Sequence, residues 1–473
     1  MVGTIDLVHG FYYLLLHGWI EVFGSSAPGI RGFSVLAIGV AGACVYWLAE
    51  RFRGRSFAFW AVLVFAVLPR VTWAGAEARS YAITVAFAAA ATLVLLVVLD
   101  RDSRSAAAWW WVGYGLLVVG GVLSNLYVGL LLVAHLVSLL WDRRVTRAQR
   151  SIWLITAGAT VAALAPFLLA AYRQAGQLSD MAFGLRDLLR NVAVNQFFLG
   201  DTPTTTTGAS RTTIAIGDVG SLWLPSAVVL AIGGWALMIV AVIVHRDELA
   251  RNEKTSTRPM VVWLLPWIVV PPAMIGIYSI AVSPMYGPRY LSFATPAVAL
   301  LVAYGLTAIR SRWRIALAGL LVLAVIPVYV SQRQLYAKNS SDWISIAQFV
   351  AENARPGDGV YFAPRYDVGG ATVGQTTRGI AVAYPDAFSG LVDLTLLRSA
   401  VEADDLVGES RYLSQSTDRL EAVDTVWVVR RVDHPADDAA ADDDLLAAAG
   451  FERTQEWQGP LDEVIKWSRV PAS

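Results

Sequence analysis

The chain has 473 residues, of which 56% are hydrophobic and 16% are charged. Soluble globular proteins carry about 25% charged residues, so this composition excludes an ordinary soluble domain. The formal net charge is zero, which excludes no anionic partner, because the distribution of charge matters more than its sum in a membrane protein. The single Cys44 lies in an apolar run, which excludes an intrachain disulfide and a thiolate metal cluster.

Residues 1–30 are predicted to form an outer juxtamembrane segment that contains a helix in the membrane plane. No signal peptide is visible, and the apolar run from Phe11 to Trp19 is shorter than the roughly 20 residues needed to cross a bilayer. Tyr13, His17 and Glu21 recur at four-residue spacing, which places them on one face of a helix. This pattern favours an in-plane interfacial helix over a span.

Residues 31–330 contain the apolar segments of a predicted α-helical polytopic membrane domain. We predict about ten spans, each close to the length that a roughly 30 Å hydrocarbon core demands. The fourth and fifth adjoin directly, so one long bent helix is an alternative there. The approximate limits are Arg31–Glu50, Ser56–Trp73, Ser80–Leu99, Ala107–Gly121, Ser124–Trp141, Ile152–Tyr172, Ser221–Val244, Val261–Ala281, Leu291–Ile309 and Trp313–Val330.

Four arginine-rich turns predict the orientation of these spans. They lie an even number of predicted spans apart, so all fall on one side, which the positive-inside rule makes cytoplasmic. The turn at Glu77, the loop 173–220, the turn 283–290 and the N-terminal segment then face outward. Because an outward N-terminus without a preceding span is unusual, we expect the native chain to start earlier, with one more span and outer loop. The basic turns contain Arg51, Arg53 and Arg55; Arg143, Arg144, Arg147 and Arg150; Arg246, Arg251, Lys254 and Arg258; and Arg310, Arg312 and Arg314.

Residues 331–473 are charged and are predicted to form an extracytoplasmic α/β domain. Ser340 or Ser341 can cap a helix with an apolar face, and strands are predicted at 360–362, 425–429 and 463–467. A further helix is predicted over 442–449, ended by Gly450. Its alternation of helices and strands favours a small α/β domain of about 140 residues. The acids of one cluster are interpreted as a solvated face rather than a metal site: Asp437, Asp438, Asp442, Asp443 and Asp444.

A charged turn lies between the second and third spans, over residues 68–81. Arg70, Glu77 and Arg79 adjoin segments that otherwise face lipid, and charges at membrane depth are costly unless they face a cavity or a partner. A functional site is one interpretation. The other is that these residues mark the water interface and pair with each other, and the turn alone does not decide between the two.

Five pieces of residues 1–330, in order, carry a resemblance to a known family: Asp6–Leu15, Phe23–Gly24, Arg31–Ser34, Trp73–Tyr81 and Tyr286–Leu291. Asp342–Trp343 and Pro356–Asp358 add to it at the start of the outer domain. The chain resembles the GT-C superfamily of membrane glycosyltransferases, in particular the actinobacterial branch of the protein mannosyltransferase and aminoarabinose transferase type.

The resemblance implies transfer of a sugar from a polyprenyl-phosphate carrier to an acceptor on the outer side of the membrane. Mannose is the favoured sugar, and protein, lipid or glycan remain open as acceptors, with no nucleic-acid partner. Arg79 and Arg289 are the candidates for binding the donor phosphate, because a guanidinium fork suits phosphate. His9 is a third candidate, with a packed interfacial role as its alternative.

The resemblance also implies a carboxylate that acts as general base on the acceptor. The family's usual Asp-Glu pair in the first outer loop is absent from this sequence, which leaves Asp6 and Glu77 as catalytic candidates. Glu77 has a local ion pair with Arg70 or Arg79 as its alternative role. No cofactor is specified, although a divalent cation could bridge carboxylate and phosphate.

Tyr81, Tyr286 and Tyr290 are candidates for lining the sugar or lipid groove, but ordinary belt tyrosines are the favoured interpretation. The loop 173–220 contains an apolar part followed by a threonine-rich stretch, and we predict either a lid over the substrate or a plain interfacial helix. Two rival functions remain open: a transporter or flippase of lipid-linked sugars, and a non-catalytic scaffold.

Overall fold

The computed structural model describes residues 7–101, 104–173, 184–200, 222–250, 258–338, 340–363, 377–403 and 408–470. These residues form two compact units. We call the first, drawn mainly from residues 2–334, the membrane unit, and the second, drawn mainly from residues 335–473, the C-terminal unit.

The described part of the membrane unit is helical. Three short stretches of other helix type interrupt it: 3₁₀ turns at Leu126–Gly129 and Pro288–Ala294 and a π-helical turn at Asn191–Asn195. The α-helices are α1 (Leu7–Phe23), α2 (Ala27–Arg53), α3 (Arg55–Val67), α4 (Pro69–Ala76), α5 (Tyr81–Leu99), α6 (Arg104–Ser124), α7 (Leu130–Trp141), α8 (Arg147–Arg173), α9 (Leu185–Arg190), α10 (Gln196–Phe198), α11 (Trp223–Ala250), α12 (Met260–Ala281), α13 (Thr295–Ala308) and α14 (Ser311–Ser331).

Among the described residues, seven helical segments are long and apolar enough to cross a membrane: those of α2, α5, α8, α11, α12, α13 with its preceding 3₁₀ turn, and α14. The pair α3 and α4 makes an eighth if it is counted as one span, although it bends by 61°. Shorter apolar helices cover Ala108–Ser124 and Leu126–Trp141. Each of the ten predicted segments therefore contains helix, but the second is broken and the fourth and fifth are short.

The break in the second segment follows from Pro69. Proline has no N–H to donate and drives the preceding residue out of the helical region. Leu68 accordingly has φ −58° and ψ 125°, and Pro69 starts a new helix at its first position. The fourth and fifth segments are likewise two helices, because Asn125 is extended and accepts the backbone N–H of Tyr127 at 3.1 Å.

The C-terminal unit combines helices with a five-stranded sheet in the order β2-β1-β5-β7-β6. Strands β2, β1 and β5 are parallel, whereas β7 pairs antiparallel with both β5 and β6. The strands are β1 (Gly359–Ala363), β2 (Val392–Asp393), β3 (Leu396–Arg398), β4 (Glu409–Ser410), β5 (Thr425–Arg431), β6 (Phe451–Gln458) and β7 (Asp462–Arg469). The helices are α15 (Trp343–Asn353), α16 (Arg378–Ala383), α17 (Ala400–Ala403), α18 (Thr417–Glu421) and α19 (Ala436–Ala448), with 3₁₀ turns at Pro385–Phe388 and Leu413–Gln415.

The prediction for this unit omitted one strand and misplaced one helix cap. Strand β6 is absent from the prediction because it is a mostly exposed edge strand that lacks an apolar face. The cap of α15 is Asp342 rather than Ser340 or Ser341, and its Oδ2 accepts the backbone N–H groups of Leu461 and Asp462 at 3.0 and 2.9 Å. Burial, together with the adjacent Asp342 carboxyl, raises the pKa of Asp462 to about 7.

The acidic cluster is also less solvated than its sequence indicates. Helix α19 begins at Ala436, six residues before the predicted start. Tyr361 donates its hydroxyl hydrogen to Asp442 at 2.7 Å, and Asp443 pairs with Arg430 at 3.0 Å. These two acids therefore tie the helix to the sheet.

Candidate functional site

Helix α4 anchors the charged turn through a buried arginine. Arg70 is 1% exposed, and its guanidinium lies 4.7 Å from the ring centroid of Trp73. Its Nε donates to the carbonyl oxygen of Gln196 at 3.1 Å, and its Nη2 donates to that of Asn195 at 2.5 Å. Arg70 thus fastens α4 to the segment 191–198 and does not mark a water interface.

The end of α4 presents the other two charged residues of the turn. The backbone carbonyl of Glu77 accepts the hydroxyl hydrogen of Ser34 at 2.6 Å, which fixes the chain where the helix stops, and the Glu77 side chain is half-buried. Arg79 is exposed, and within the described ranges its guanidinium makes no hydrogen bond or salt bridge. An exposed guanidinium with spare donors is suited to an anionic ligand.

Four aromatic rings, which we call the aromatic ladder, join three turns that are far apart in sequence. Trp73 and Tyr81 have ring centroids 5.0 Å apart, and Tyr81 and Tyr290 are 6.2 Å apart. Tyr290 stacks on Tyr127 at 5.2 Å with an interplanar angle of 7°. The ladder therefore brings the charged turn beside the turn that carries Arg289.

The turn 285–291 is held by hydrogen bonds to the junction between α6 and α7. Asn125 Nδ2 donates to the carbonyl oxygen of Tyr290 at 3.2 Å, and the Tyr127 hydroxyl donates to that of Met285 at 2.6 Å. A Cβ at Gly287 would lie 2.7 Å from the Tyr290 ring, so only glycine permits this close packing. The half-buried Arg289 lies 5.3 Å from the centroid of the Tyr290 ring.

The predicted site residues divide into three groups. Tyr81 and Tyr290 contact each other, and Arg289 lies beside them, as the ladder shows. Tyr286 is 1% exposed and donates its hydroxyl hydrogen to Gln196 Oε1 at 2.6 Å, so it supports the core rather than a groove. His9 is half-buried on α1, 6.2 Å from the ring of Tyr13, whereas Asp6 lies outside the described residues.

Sequence reasoning did not select Tyr12, Asn125, Tyr127 or Gln196 as site residues. Asn125 had a usable signal, because a polar residue between two adjoining apolar runs is a helix stop. Gln196 had none, since its contacts with Arg70 and Tyr286 join residues about 90 to 126 positions apart. The signal for Tyr12 is its place in the Asp6–Leu15 piece, but its burial beside Phe33 is a tertiary feature.

An apolar groove with a free volume of about 50 Å³ adjoins α4. It lies among α3, α11, α13 and α14, and Leu68 and Pro69 line it at the point where α3 gives way to α4. Phe198 enters it beside Gly234, where a Cβ would lie 2.3 Å from the Phe198 ring. The lining is apolar, which suits an apolar ligand.

The described part of the predicted lid is firmly attached. Besides the bonds from Arg70 and Tyr286, Trp235 Nε1 donates to the carbonyl oxygen of Ala193 at 2.8 Å. The remaining parts of that loop, 174–183 and 201–220 with the threonine-rich stretch, lie outside the described residues. Across the described ranges, no three His, Cys, Asp or Glu side chains come together as a metal site.

Comparisons with known proteins agree with this arrangement. The family model of dolichyl-phosphate-mannose-protein mannosyltransferase matches residues 11–169. Among solved structures, ArnT from Cupriavidus metallidurans in the apo state has a TM-score of 0.51 and 13% identity, over 98% of this chain and 88% of ArnT. A search of curated proteins finds no match.

Two other solved structures match with lower TM-scores. ArnT from Cupriavidus metallidurans bound to undecaprenyl phosphate has a TM-score of 0.49 and 14% identity, over 98% of this chain and 89% of that one. The Archaeoglobus fulgidus oligosaccharyltransferase in the apo form has a TM-score of 0.43 and 13% identity, over 88% of this chain and 61% of that one.

The chain resembles GT-C membrane glycosyltransferases of the protein mannosyltransferase and ArnT type, and it shares the fold of ArnT. Its apolar helices and this fold support a multi-pass membrane protein. The family match and the fold together support a membrane glycosyltransferase at a coarse level.

Proposed function

We propose that the protein transfers a sugar, with mannose favoured, from a polyprenyl-phosphate donor to an acceptor at the outer face of the membrane. The family model that matches residues 11–169 describes enzymes that use dolichyl-phosphate-mannose, which is a polyprenyl-phosphate sugar. The acceptor is a protein, a lipid or a glycan.

One observation carries this proposal. Two arginine-bearing turns lie side by side at one end of α4, and an apolar groove lies at the other end of that helix. Arg79 and Arg289 lie on turns that the aromatic ladder joins. The apolar groove begins at Leu68 and Pro69, at the other end of the eight-residue helix α4. A polyprenyl phosphate has the same two parts: an anionic head that arginines can neutralise and an apolar tail.

The proposed transfer breaks the bond between the anomeric carbon and the phosphate oxygen and forms a bond from that carbon to the acceptor oxygen or nitrogen. Polyprenyl phosphate leaves with the bonding electron pair, and Arg79 and Arg289 stabilise its charge. The acceptor proton passes to a carboxylate. Glu77 is the described candidate for this base, and Asp6 is the second candidate.

Radiolabelled mannose on a short-chain polyprenyl phosphate tests the proposal. Protein reconstituted in liposomes should move label from the donor to material in a membrane extract of its native cells. Arg79→Ala should abolish most of this transfer, whereas Arg55→Ala, which removes another exposed arginine, should leave it unchanged. Label that crosses the bilayer without transfer would instead indicate a flippase. If the label is neither transferred nor moved across the bilayer, the non-catalytic scaffold is favoured.

The proposed orientation has a separate test. Cys44 is the single cysteine and is buried, so an added exposed cysteine can be labelled selectively. Val401 on α17 is 87% exposed, and Arg55 has a side chain that is 86% exposed. In intact cells, a membrane-impermeant maleimide should label Val401→Cys and spare Arg55→Cys. The reverse pattern would overturn the outward placement of the C-terminal unit.

A further inference from the structure

Arg333 lies just beyond the end of α14 and contacts α4. Its Nη2 donates to the carbonyl oxygen of Thr72 at 3.4 Å, and its Nη1 donates to that of Tyr329 at 3.2 Å. The guanidinium lies 3.5 Å from the centroid of the Tyr329 ring. Charge-assisted hydrogen bonds are typically about 2.7–2.9 Å long, so both of these bonds are long. The contacts therefore orient the guanidinium but satisfy it weakly.

The charge of Arg333 is not neutralised by an acid in the part of the chain that the structure describes. By contrast, Arg258 of the same unit pairs with Asp100 and Asp142. The Arg333 side chain is half-buried, and this burial lowers its pKa because desolvation opposes the charged form. Arginine has five N–H donors, and the two carbonyl contacts use only two of them. Such a cation is suited to an anionic ligand.

The apolar groove lies beside Arg333. Residues of α14 line the groove as far as Val325. Pro69, which also lines it, accepts a hydrogen bond from Nε2 of Gln332 at 3.4 Å. Thr72, which Arg333 contacts, lies about one helical turn after Pro69 on α4. The cation is therefore about one helical turn from the groove wall.

An apolar groove with a cation beside it complements an amphipathic anion. Polyprenyl phosphates and ordinary phospholipids both combine a phosphate with apolar chains. The groove has a free volume of about 50 Å³, which accommodates part of one chain rather than two acyl chains side by side. This narrow space favours a lipid with a single tail.

We propose that Arg333 binds the phosphate of a polyprenyl-phosphate lipid whose tail enters the apolar groove. This inference rests on the proposed function for the identity of the lipid, and it adds a binding residue on the groove side of α4. Arg333 is a ligand-binding residue in this scheme and takes no proton during transfer. Because the phosphate is present before and after transfer, Arg333 holds both the donor and the released polyprenyl phosphate.

The test measures binding of undecaprenyl phosphate to the full chain in detergent, separately from sugar transfer. Arg333→Gln removes the charge but keeps an N–H donor for the carbonyl oxygens. Arg312→Gln is the matched control, because Arg312 is exposed at the other end of α14 and lies 5.6 Å from the centroid of the Trp313 ring. Loss of a charge-assisted contact should raise Kd roughly ten- to a hundredfold in Arg333→Gln and leave it unchanged in Arg312→Gln.

Undecaprenol, which has the same tail but no phosphate, separates the two parts of the ligand. Arg333→Gln should bind undecaprenol as the wild type does. Arg333→Lys keeps the charge without the planar fork and should recover part of the affinity for undecaprenyl phosphate. An unchanged Kd in Arg333→Gln would overturn the inference while the proposed function stands. Arg333→Lys with an affinity as low as that of Arg333→Gln would also overturn it, because charge would then not be the cause.

Competition separates the sources of phosphate. Phosphatidylglycerol and inorganic phosphate, each at the concentration of undecaprenyl phosphate, should displace little of it from the wild type. Equal displacement by either one would overturn the assignment to a polyprenyl phosphate. Binding that depends on Arg333 in a protein that transfers no sugar would overturn the proposed function while this lipid contact stands. A wild type that does not bind undecaprenyl phosphate would overturn both.

Discussion

The two ends of the membrane unit use their charges differently. At one end, which we call the basic end, the described arginines Arg51, Arg53 and Arg258 are held by acids. Arg258 pairs with Asp142 at 2.8 Å and with Asp100 at 2.6 Å, and Arg51 also pairs with Asp100. Asp142 is 1% exposed and additionally accepts the indole N–H of Trp263 at 3.0 Å.

A second cluster at the basic end follows the same principle. Arg53 pairs with Glu248 at 3.0 Å and lies 4.3 Å from the ring centroid of Tyr304. The Tyr304 hydroxyl donates to the same carboxylate at 2.8 Å. These contacts join helices α2, α11 and α13, so the charges here act on the fold.

At the opposite end, which carries the aromatic ladder, Arg79 is exposed and unpaired in the described structure. Ring packing and hydrogen bonds to backbone carbonyls hold that end together. The comparison teaches that charges which satisfy each other stabilise a fold, whereas spare donors are available to a ligand. Mutations at the two ends should accordingly affect different measurements.

The largest effect is expected from Asp142→Ala at the basic end. Removing one partner of a buried pair leaves Arg258 and Trp263 with unsatisfied donors, which should lower the free energy of unfolding by about 3–5 kcal/mol. Titration with SDS in mixed micelles measures this change. Donor KM should stay near the wild-type value for the protein that remains folded. A loss below about 1 kcal/mol would show that the pair contributes little to the fold.

Arg79→Ala at the ladder end should show the opposite pattern. The loss of a charge-assisted contact with phosphate should cost about 1.5–3 kcal/mol of transition-state stabilisation, or roughly ten- to a hundredfold in kcat/KM. The SDS midpoint should stay unchanged because the side chain is exposed. Arg79→Lys is the control, which should restore charge without the planar fork and recover activity in part. If Arg79→Ala lowered stability as much as Asp142→Ala, the proposed difference between the two ends would be wrong.

Tyr290→Leu tests whether the ladder itself holds its end together. The substitution keeps an apolar side chain but removes the stack on Tyr127 and the contact with Tyr81. The loss of these ring contacts should lower the free energy of unfolding by about 0.5–1.5 kcal/mol, in addition to the effect of the smaller buried apolar area. Because the Arg289 turn is displaced as well, donor KM should rise alongside. Tyr290→Phe is the control and should behave as the wild type in the SDS titration, since the ring remains.

The smallest effect is expected from Arg55→Ala. Arg55 pairs with Glu50 at 2.9 Å, but its side chain is 86% exposed, and exposed pairs contribute little to stability. The SDS midpoint should shift by little, and the shift should vanish at high salt. If Arg55→Ala lowered the free energy of unfolding as much as Asp142→Ala, burial would not explain the difference between buried and exposed ion pairs.

Much of the fold was predictable because apolar runs and buried strands are local patterns. All ten predicted segments contain helix in the structure, and the strands predicted near 360, 425 and 463 correspond to β1, β5 and β7. The break at Leu68 was not predicted, although Pro69 is its cause. Strand β6 could not be predicted, because an exposed edge strand carries little hydrophobic signal.

The candidate site was predictable only as separate pieces. The sequence by itself determined the residue types, since charges placed between apolar runs are costly enough to mark Glu77, Arg79 and Arg289 for attention. Tertiary structure alone decided that Tyr286 supports the core, that Arg70 is a buried anchor and that Tyr290 joins Tyr81. The physical reason is that the free-energy cost of a charge at membrane depth depends on the local sequence, whereas pairing and packing depend on residues brought together from distant turns.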